Sequence, residues 1–163
     1  TAAALRIATE VRPRVVRGNP SEVLALAGTA ATTRGVDATD PVERAAETAV
    51  RLAASLGATV AVTGAVDLVT DGTRTVRVRN GHPLMSRVTG TGCAATAAIG
   101  AFLAVERDPV TAAASALAFF GLAGEIAAER AAAPGSFMIA LLDALYTITP
   151  EALAAGGRIE AAD

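Results

Sequence analysis

The stretch Ala58-Thr59-Val60-Ala61-Val62-Thr63-Gly64 decides the fold class. A continuous apolar run with β-branched residues, closed by a threonine–glycine turn, is the pattern of a central parallel strand. Upstream, Asp40-Pro-Val-Glu43 is a start signal for a helix of about four turns. Its apolar positions Val42, Ala45, Ala49, Leu52, Ala53 and Leu56 share one face, and Gly57 ends it. Further upstream, Arg14-Val-Val16 reads as a buried strand after Pro13. Asn19-Pro-Ser-Glu22 then opens a second helix, with Asn19 as cap, Pro20 in the first turn and Glu22 reaching back as in a capping box. That helix runs from Val23 to Ala27 and stops near Gly28, before a loop rich in Thr, Gly and Asp over 29–39.

Downstream, the runs 66–70 and 73–78 flank Asp71-Gly72, a hairpin turn signal, and Asn80-Gly81 marks a further turn. Beyond Gly92 the pattern becomes helical, with helices predicted over 93–106, 109–132 and 136–146. Asp108-Pro109 and Thr149-Pro150 are again caps followed by proline. The tail from Ala154 is expected to fray. Strands alternating with helices imply an α/β layered sheet with a helical C-terminal third. No repeat, linker or internal boundary interrupts residues 1–163, so one domain is expected.

Composition narrows the function. The 163 residues carry a formal net charge of −2, are 52% hydrophobic and only 18% charged, which argues against disorder. Every one of the 14 basic residues is arginine. The acidic balance argues against a nucleic-acid partner, which needs a net basic patch. Aromatic residues make up 3%, too few for base-stacking platforms. A single cysteine, Cys93, excludes a disulfide framework, and a single histidine, His82, leaves little for a histidine metal centre. The start lacks the order of a signal peptide, and the apolar stretches read as interrupted before the length that crosses a bilayer. An intracellular domain is expected. The first ten residues read as the later part of a helix, so the chain is expected to be part of something longer.

The most informative segment is Val88-Thr-Gly-Thr-Gly-Cys-Ala94, which enters a helix directly. Gly90 and Gly92 let the backbone come close to a ligand and adopt positive φ. The helix start adds free N–H groups and a positive dipole end, together a site for phosphate or a developing anion. Cys93 falls in the first turn, where the dipole favours a thiolate. The competing reading is a tight loop-to-helix junction around a buried cysteine. A Walker loop is excluded, since there is no lysine, and the Rossmann pattern lacks its third glycine.

Two strand ends have similar character. After Arg17-Gly18, Asn19 and Glu22 stand at a helix start, where open α/β sheets bind ligands. Glu22 suits a hydrated magnesium ion, yet the same carboxylate is claimed by the capping box. Thr63-Gly64 offers a hydroxyl to a nucleotide phosphate or is a plain strand-ending turn. Asp67 and Asp71 read as hairpin residues, Asp67 lying close to Thr63-Gly64. His82 reads as a loop histidine, Phe119 and Phe120 as core, and Glu125 and Glu129 as solvated charges. A serine–histidine–aspartate set cannot be assembled around one histidine.

Taken in order, the words Arg17-Gly-Asn-Pro-Ser-Glu22, Ala27-Gly28, Gly35-Val-Asp37, Val62-Thr-Gly-Ala-Val-Asp67, Thr70-Asp-Gly72 and Asn80-Gly-His-Pro-Leu-Met85 resemble the hydroxyethylthiazole kinase family. Val88-Thr-Gly-Thr-Gly-Cys93, Ala123-Gly-Glu125, Pro134-Gly-Ser-Phe137 and Asp143-Ala-Leu-Tyr146 extend the resemblance over nearly the whole chain. The family is a thiamin-salvage branch of the ribokinase-like superfamily. The resemblance implies a three-layer α/β/α ribokinase-like fold with a mostly parallel central sheet, incomplete at its N-terminus. It also implies ATP- and magnesium-dependent phosphorylation of the primary alcohol of 4-methyl-5-(2-hydroxyethyl)thiazole. By resemblance Arg17 and Thr63 fall on ATP-contacting positions and Gly90 on a substrate-contacting one. Asn19 and Glu22 match the superfamily Asn-x-x-Glu motif of the magnesium and phosphate region.

Cys93 stands where most superfamily relatives carry a catalytic aspartate, and the N–H groups of Gly90, Thr91, Gly92 and Cys93 would hold the transferring phosphoryl group. The family is a cytoplasmic homotrimer with sites between subunits. Its chain is longer, with a methionine-containing thiazole contact and an Asp-Pro-Val-Gly word in an N-terminal half, so this chain is expected to be the C-terminal portion. Two rival readings remain. One is another ribokinase-like vitamin kinase or related enzyme, which the cysteine at position 93 argues against. The other is a non-catalytic nucleotide-binding or assembly fragment of such a kinase.

Overall fold

A computed structural model describes residues 2–28 and 41–162. The predicted loop over 29–39, its Gly35-Val-Asp37 word and the cap at Asp40 lie outside the described residues. Residues 15–18, 59–62 and 67–70 form neighbouring strands of one sheet, in that order. The chain divides into two compact units, one of residues 1–77 with 161–163 and one of residues 78–160. Each is described by itself.

In the first unit a short helix, α1 (Ala2–Arg6), continues into a π-helical turn over Ile7–Val11 and ends where Arg12 adopts φ 53°. Strand β1 (Val15–Gly18) leads into α2 (Pro20–Leu26). The predicted capping box is formed: Asn19 Oδ1 accepts the Glu22 N–H at 2.9 Å, and Glu22 Oε2 accepts the Asn19 N–H at 2.7 Å. The helix closes at Ala27, with Gly28 in the left-handed region. Helix α3 (Pro41–Leu56) ends before Gly57 at φ 61°. Strands β2 (Thr59–Val62) and β3 (Asp67–Thr70) follow, then β4 (Thr75–Val78).

The core of this unit follows from the helical spacing read in α3. Val42, Ala45, Ala49, Leu52 and Ala53 are all buried and pack with Val23 of α2 and with Val60, Val62 and Leu68 of the sheet. Burying a valine or leucine there stabilises by about 1.5–3 kcal/mol. Every residue of β2 is buried, as its uninterrupted apolar run requires. It pairs in parallel with β1, Val15 opposite Thr59 through Gly18 opposite Val62. With β3 it pairs antiparallel, Val60 opposite Thr70 and Val62 opposite Leu68. The α/β class stands, while the expected mostly parallel sheet is refined: among these pairings the sheet is mixed, because the short Thr63–Val66 turn can return the chain only antiparallel.

The second unit is helical apart from its strand ends. A 3₁₀ turn over Pro83–Arg87 precedes α4 (Thr91–Leu103), α5 (Pro109–Arg130), α6 (Pro134–Thr147) and α7 (Pro150–Gly156). Asp108 Oδ1 accepts the Thr111 N–H at 2.7 Å and Thr149 Oγ1 the Ala152 N–H at 3.2 Å, so both predicted caps form. Helix α5 packs against α4 and α6, and most of its alanines are buried with Leu117 and Phe120. At 22 residues it is long and apolar enough, by length and composition, to cross a membrane, which corrects the reading of uniformly short apolar stretches. Of its most apolar window, 67% is buried within the protein, the condition of a core helix.

The expected fraying from Ala154 is also corrected. Helix α7 runs to Gly156, and strand β5 (Ile159–Ala161) follows. Within the second unit Arg79 donates its N–H to Arg158 O at 2.9 Å. Buried Asn80 accepts the Arg158 N–H at 2.7 Å and donates to Gly156 O at 2.9 Å. Glu125, read as solvated, instead accepts the Gly81 N–H at 2.7 Å and pairs with Arg158 at 2.5 Å. These bonds secure the tail against α5 and the Asn80-Gly81 turn.

Candidate functional site

In the first unit the sheet itself assembles the site. Register places Arg17 opposite Ala61 and Gly18 opposite Val62, and the ladder continues as Thr63 donates its N–H to Gly18 O at 2.9 Å. Side chains alternate between sheet faces, so Arg17, Ala61 and Thr63 share one face. Ala61 carries only a methyl, which leaves room for the guanidinium to reach along that face. Arg17 Nη2 donates to Thr63 Oγ1, and Arg17 Nε is buried without a hydrogen-bond partner. The two residues that the resemblance places on ATP are thus in contact. An orphaned buried donor costs stability, and a ligand oxygen beside it would recover that cost.

Asp67 completes the cluster. Its Oδ1 accepts the Gly64 N–H at 2.8 Å. Burial pushes its carboxyl up to about 7, against the opposing pull of that N–H and of the Arg17 charge. Asp71, by contrast, does what a turn residue does. Burial raises its carboxyl, but the N–H groups of Arg74 and Thr73, the Thr73 hydroxyl and the Arg74 charge outweigh this and hold it at about 2. Sequence reasoning placed both aspartates in turns; what it lacked for Asp67 was the register that sets this residue on the Arg17 face.

Asn19 and Glu22 follow β1 directly, and the structure shows the capping box that competes for the Glu22 carboxylate. Glu22 remains exposed, and the cap engages its Oε2. Among the described residues no group of three His, Cys, Asp or Glu side chains converges to enclose a metal ion. One exposed carboxylate beside a strand end still fits magnesium, which keeps several waters and uses one or two carboxylates plus substrate phosphates.

The second unit holds the glycine-rich loop. Gly90 is the N-cap of α4 at φ 94°, and a Cβ there would meet nothing within 4 Å, so glycine serves backbone conformation and open space. Gly92 lies inside the first turn of α4 and is not in the left-handed region, which corrects the reading that both glycines need positive φ. Ala94 donates its N–H to Gly90 O at 2.9 Å, leaving the N–H groups of Thr91, Gly92 and Cys93 at the start of the helix. Thr91 Oγ1 contacts Met85 O at 3.0 Å and Val88 O at 3.1 Å, tying the helix start to the preceding 3₁₀ turn. Cys93 is exposed, so the reading of a buried cysteine is overturned. His82 is a capping residue, its Nδ1 accepting the Leu84 N–H at 3.2 Å.

The mixed α/β sheet with its flanking helices defines a fold of the ribokinase-like class. The family model described as the Hydroxyethylthiazole kinase family matches residues 1–151, and the chain belongs to that family. It is 58% identical over 160 residues to a hydroxyethylthiazole kinase of Desulfotalea psychrophila, covering 98% of this chain and 59% of that protein. It is 59% identical over 152 residues to one of Cereibacter sphaeroides, covering 93% of this chain and 58% of that protein. The chain thus spans less than two-thirds of the length of these curated relatives. The solved hydroxyethylthiazole kinase protein from Pyrococcus horikoshii superposes with a TM-score of 0.84 at 40% identity, over 100% of this chain and 61% of its own.

Proposed function

We propose that this chain carries the nucleotide-side and catalytic-loop portion of an ATP-dependent kinase that phosphorylates the primary alcohol of 4-methyl-5-(2-hydroxyethyl)thiazole. Family membership supports the reaction class. The observation that carries the reading is the loop at α4, where a left-handed Gly90 opens onto a helix start with an exposed Cys93 in its first turn. The Cys93 thiolate takes the alcohol proton as the alcohol oxygen forms its bond to the γ-phosphorus. The bond from that phosphorus to the ADP oxygen breaks, and ADP leaves with the electron pair. The N–H groups of Thr91, Gly92 and Cys93 stabilise charge on the transferring oxygens, and Gly90 contacts the thiazole alcohol.

Arg17 binds the ATP phosphates beside Thr63, and its orphaned Nε supports that role. Glu22, with Asn19 orienting it, would hold a hydrated magnesium ion, which neutralises phosphate charge when bound. A homotrimer is the assembly we propose for the complete protein. The exposed Met138, Ile139, Leu142 and Tyr146 of α6 are in keeping with it.

The direct test is ADP release by the purified chain with ATP and magnesium, with and without the thiazole alcohol. Alcohol-dependent release is the expected result. Release that ignores the alcohol would overturn the substrate, and no release would favour the non-catalytic nucleotide-binding or assembly reading.

A further inference from the structure

Asp67 is left over from the site described above. Register sets Val62 opposite Leu68, so one step further along the same pair Asp67 stands across from Thr63, on the face that also carries Arg17. Its Oδ1 holds the Gly64 N–H at 2.8 Å, and the turn so fixed is the one that presents the Thr63 hydroxyl. Gly64 has little freedom to move on the other side, since a Cβ there would lie 2.4 Å from Val42 Cγ2 of α3. The turn is therefore held between α3 and the carboxylate.

Arg17 needs the same partner. Its guanidinium donates to Thr63, a neutral hydroxyl, and its Nε is buried with no acceptor. The Asp67 carboxylate acts on it electrostatically. Among the described residues, those of β2 over 59–62 are uncharged, and Glu43 at the start of α3 is bound by Arg77. A cation left on a half-buried strand end with only a hydroxyl for company would swing toward solvent; the ionised form of Asp67, which predominates above about 7, holds it in place.

We propose that Asp67 is a positioning residue for nucleotide binding: its carboxylate fixes the Thr63–Gly64 turn through the Gly64 N–H and, by its charge, holds Arg17 on Thr63. The inference rests on the nucleotide-binding reading of Arg17 and Thr63. Asp67 touches no phosphate in this scheme. It delivers two groups that do.

The test compares Asp67→Asn, which keeps the shape and an acceptor for Gly64 but loses the charge, with Asp67→Ala, which loses both. Equilibrium binding of ATP and the KM values for ATP and for the thiazole alcohol are measured from pH 5 to 9. In parallel the Gly64 amide and Arg17 Nε–H signals are followed by NMR over the same range. Asp67→Ala should weaken ATP by about tenfold or more while changing the alcohol KM little, and Asp67→Asn should fall between it and the wild type. In the wild type both NMR signals should follow one titration step, which Asp67→Asn removes. An unchanged ATP affinity in Asp67→Asn, or equal losses for both substrates, would overturn the positioning role. A wild type that shows the shared titration step yet binds no ATP would instead overturn the nucleotide reading, so the two failures are distinct.

Discussion

Under the proposed function, the strand-end cluster of the first unit and the glycine loop of the second would meet the same chemical demand by opposite means. At the strand ends, side chains do the work: Arg17, Thr63 and Asp67 share a sheet face, with a hydroxyl and a backbone N–H as their partners. At the loop, backbone does it: Gly90 turns left-handed, and the N–H groups that follow it belong to whatever residues stand there. The first arrangement depends on residue identity at each position, and on register to bring the residues together. The second depends on one permissive glycine and a helix start. Of its side chains, Cys93 alone is assigned chemistry, while Thr91 spends its hydroxyl on Met85 and Val88.

The largest effect should fall on that one side chain. Cys93→Ala should lower turnover of the thiazole alcohol by about 10²–10⁴-fold, the range of a lost general base, with folding intact because the thiol is exposed. Turnover at the wild-type level would show that the loop works through its backbone alone. Arg17→Ala should act on the other cluster, raising the ATP KM by about 10–100-fold, as expected for losing a charged hydrogen bond of about 1.5–3 kcal/mol. The alcohol KM should move far less. Equal losses for both would mean that the strand end is a structural joint.

The smallest effect separates the two aspartates. Asp71 is held near 2, below the usual carboxylate value of about 4, so its contribution to stability is present above pH 4 and is lost as pH falls through 2. Asp67 is shifted the other way, and the stability tied to it is greatest below pH 4 and declines as pH rises through 7. Asp71→Asn should therefore cost about 0.5–1.5 kcal/mol at pH 6 and progressively less toward pH 2. Urea midpoints across that range check it. A constant difference at every pH would show that the turn is held by shape and not by charge.

Much of the fold was legible because it is local. The capping box at Asn19 and Glu22, the caps at Asp108 and Thr149 and the buried stripe of α3 all appear at the predicted positions. Two of the misreadings share one cause, which is distance along the chain. Glu125 lies 44 residues from Gly81 and 33 from Arg158, so nothing near it in sequence revealed that it is a partner and not a solvated charge. The tail was expected to fray because its anchors, Asn80 and Arg79, stand 78 or more residues earlier.

By itself, the sequence determined most of the elements, several of their caps and the family to which they belong, since periodicity, caps and ordered motifs are properties of neighbouring residues. Tertiary structure alone decided the mixed pairing of the sheet, the exposure of Cys93, and the meeting of Arg17, Thr63 and Asp67 on one face. Register is the physical reason. A shift of one residue between β1 and β2 would turn Arg17 and Thr63 to opposite faces, and that choice is made by burying Val60 and Val62 against α3 and not by any residue of the site.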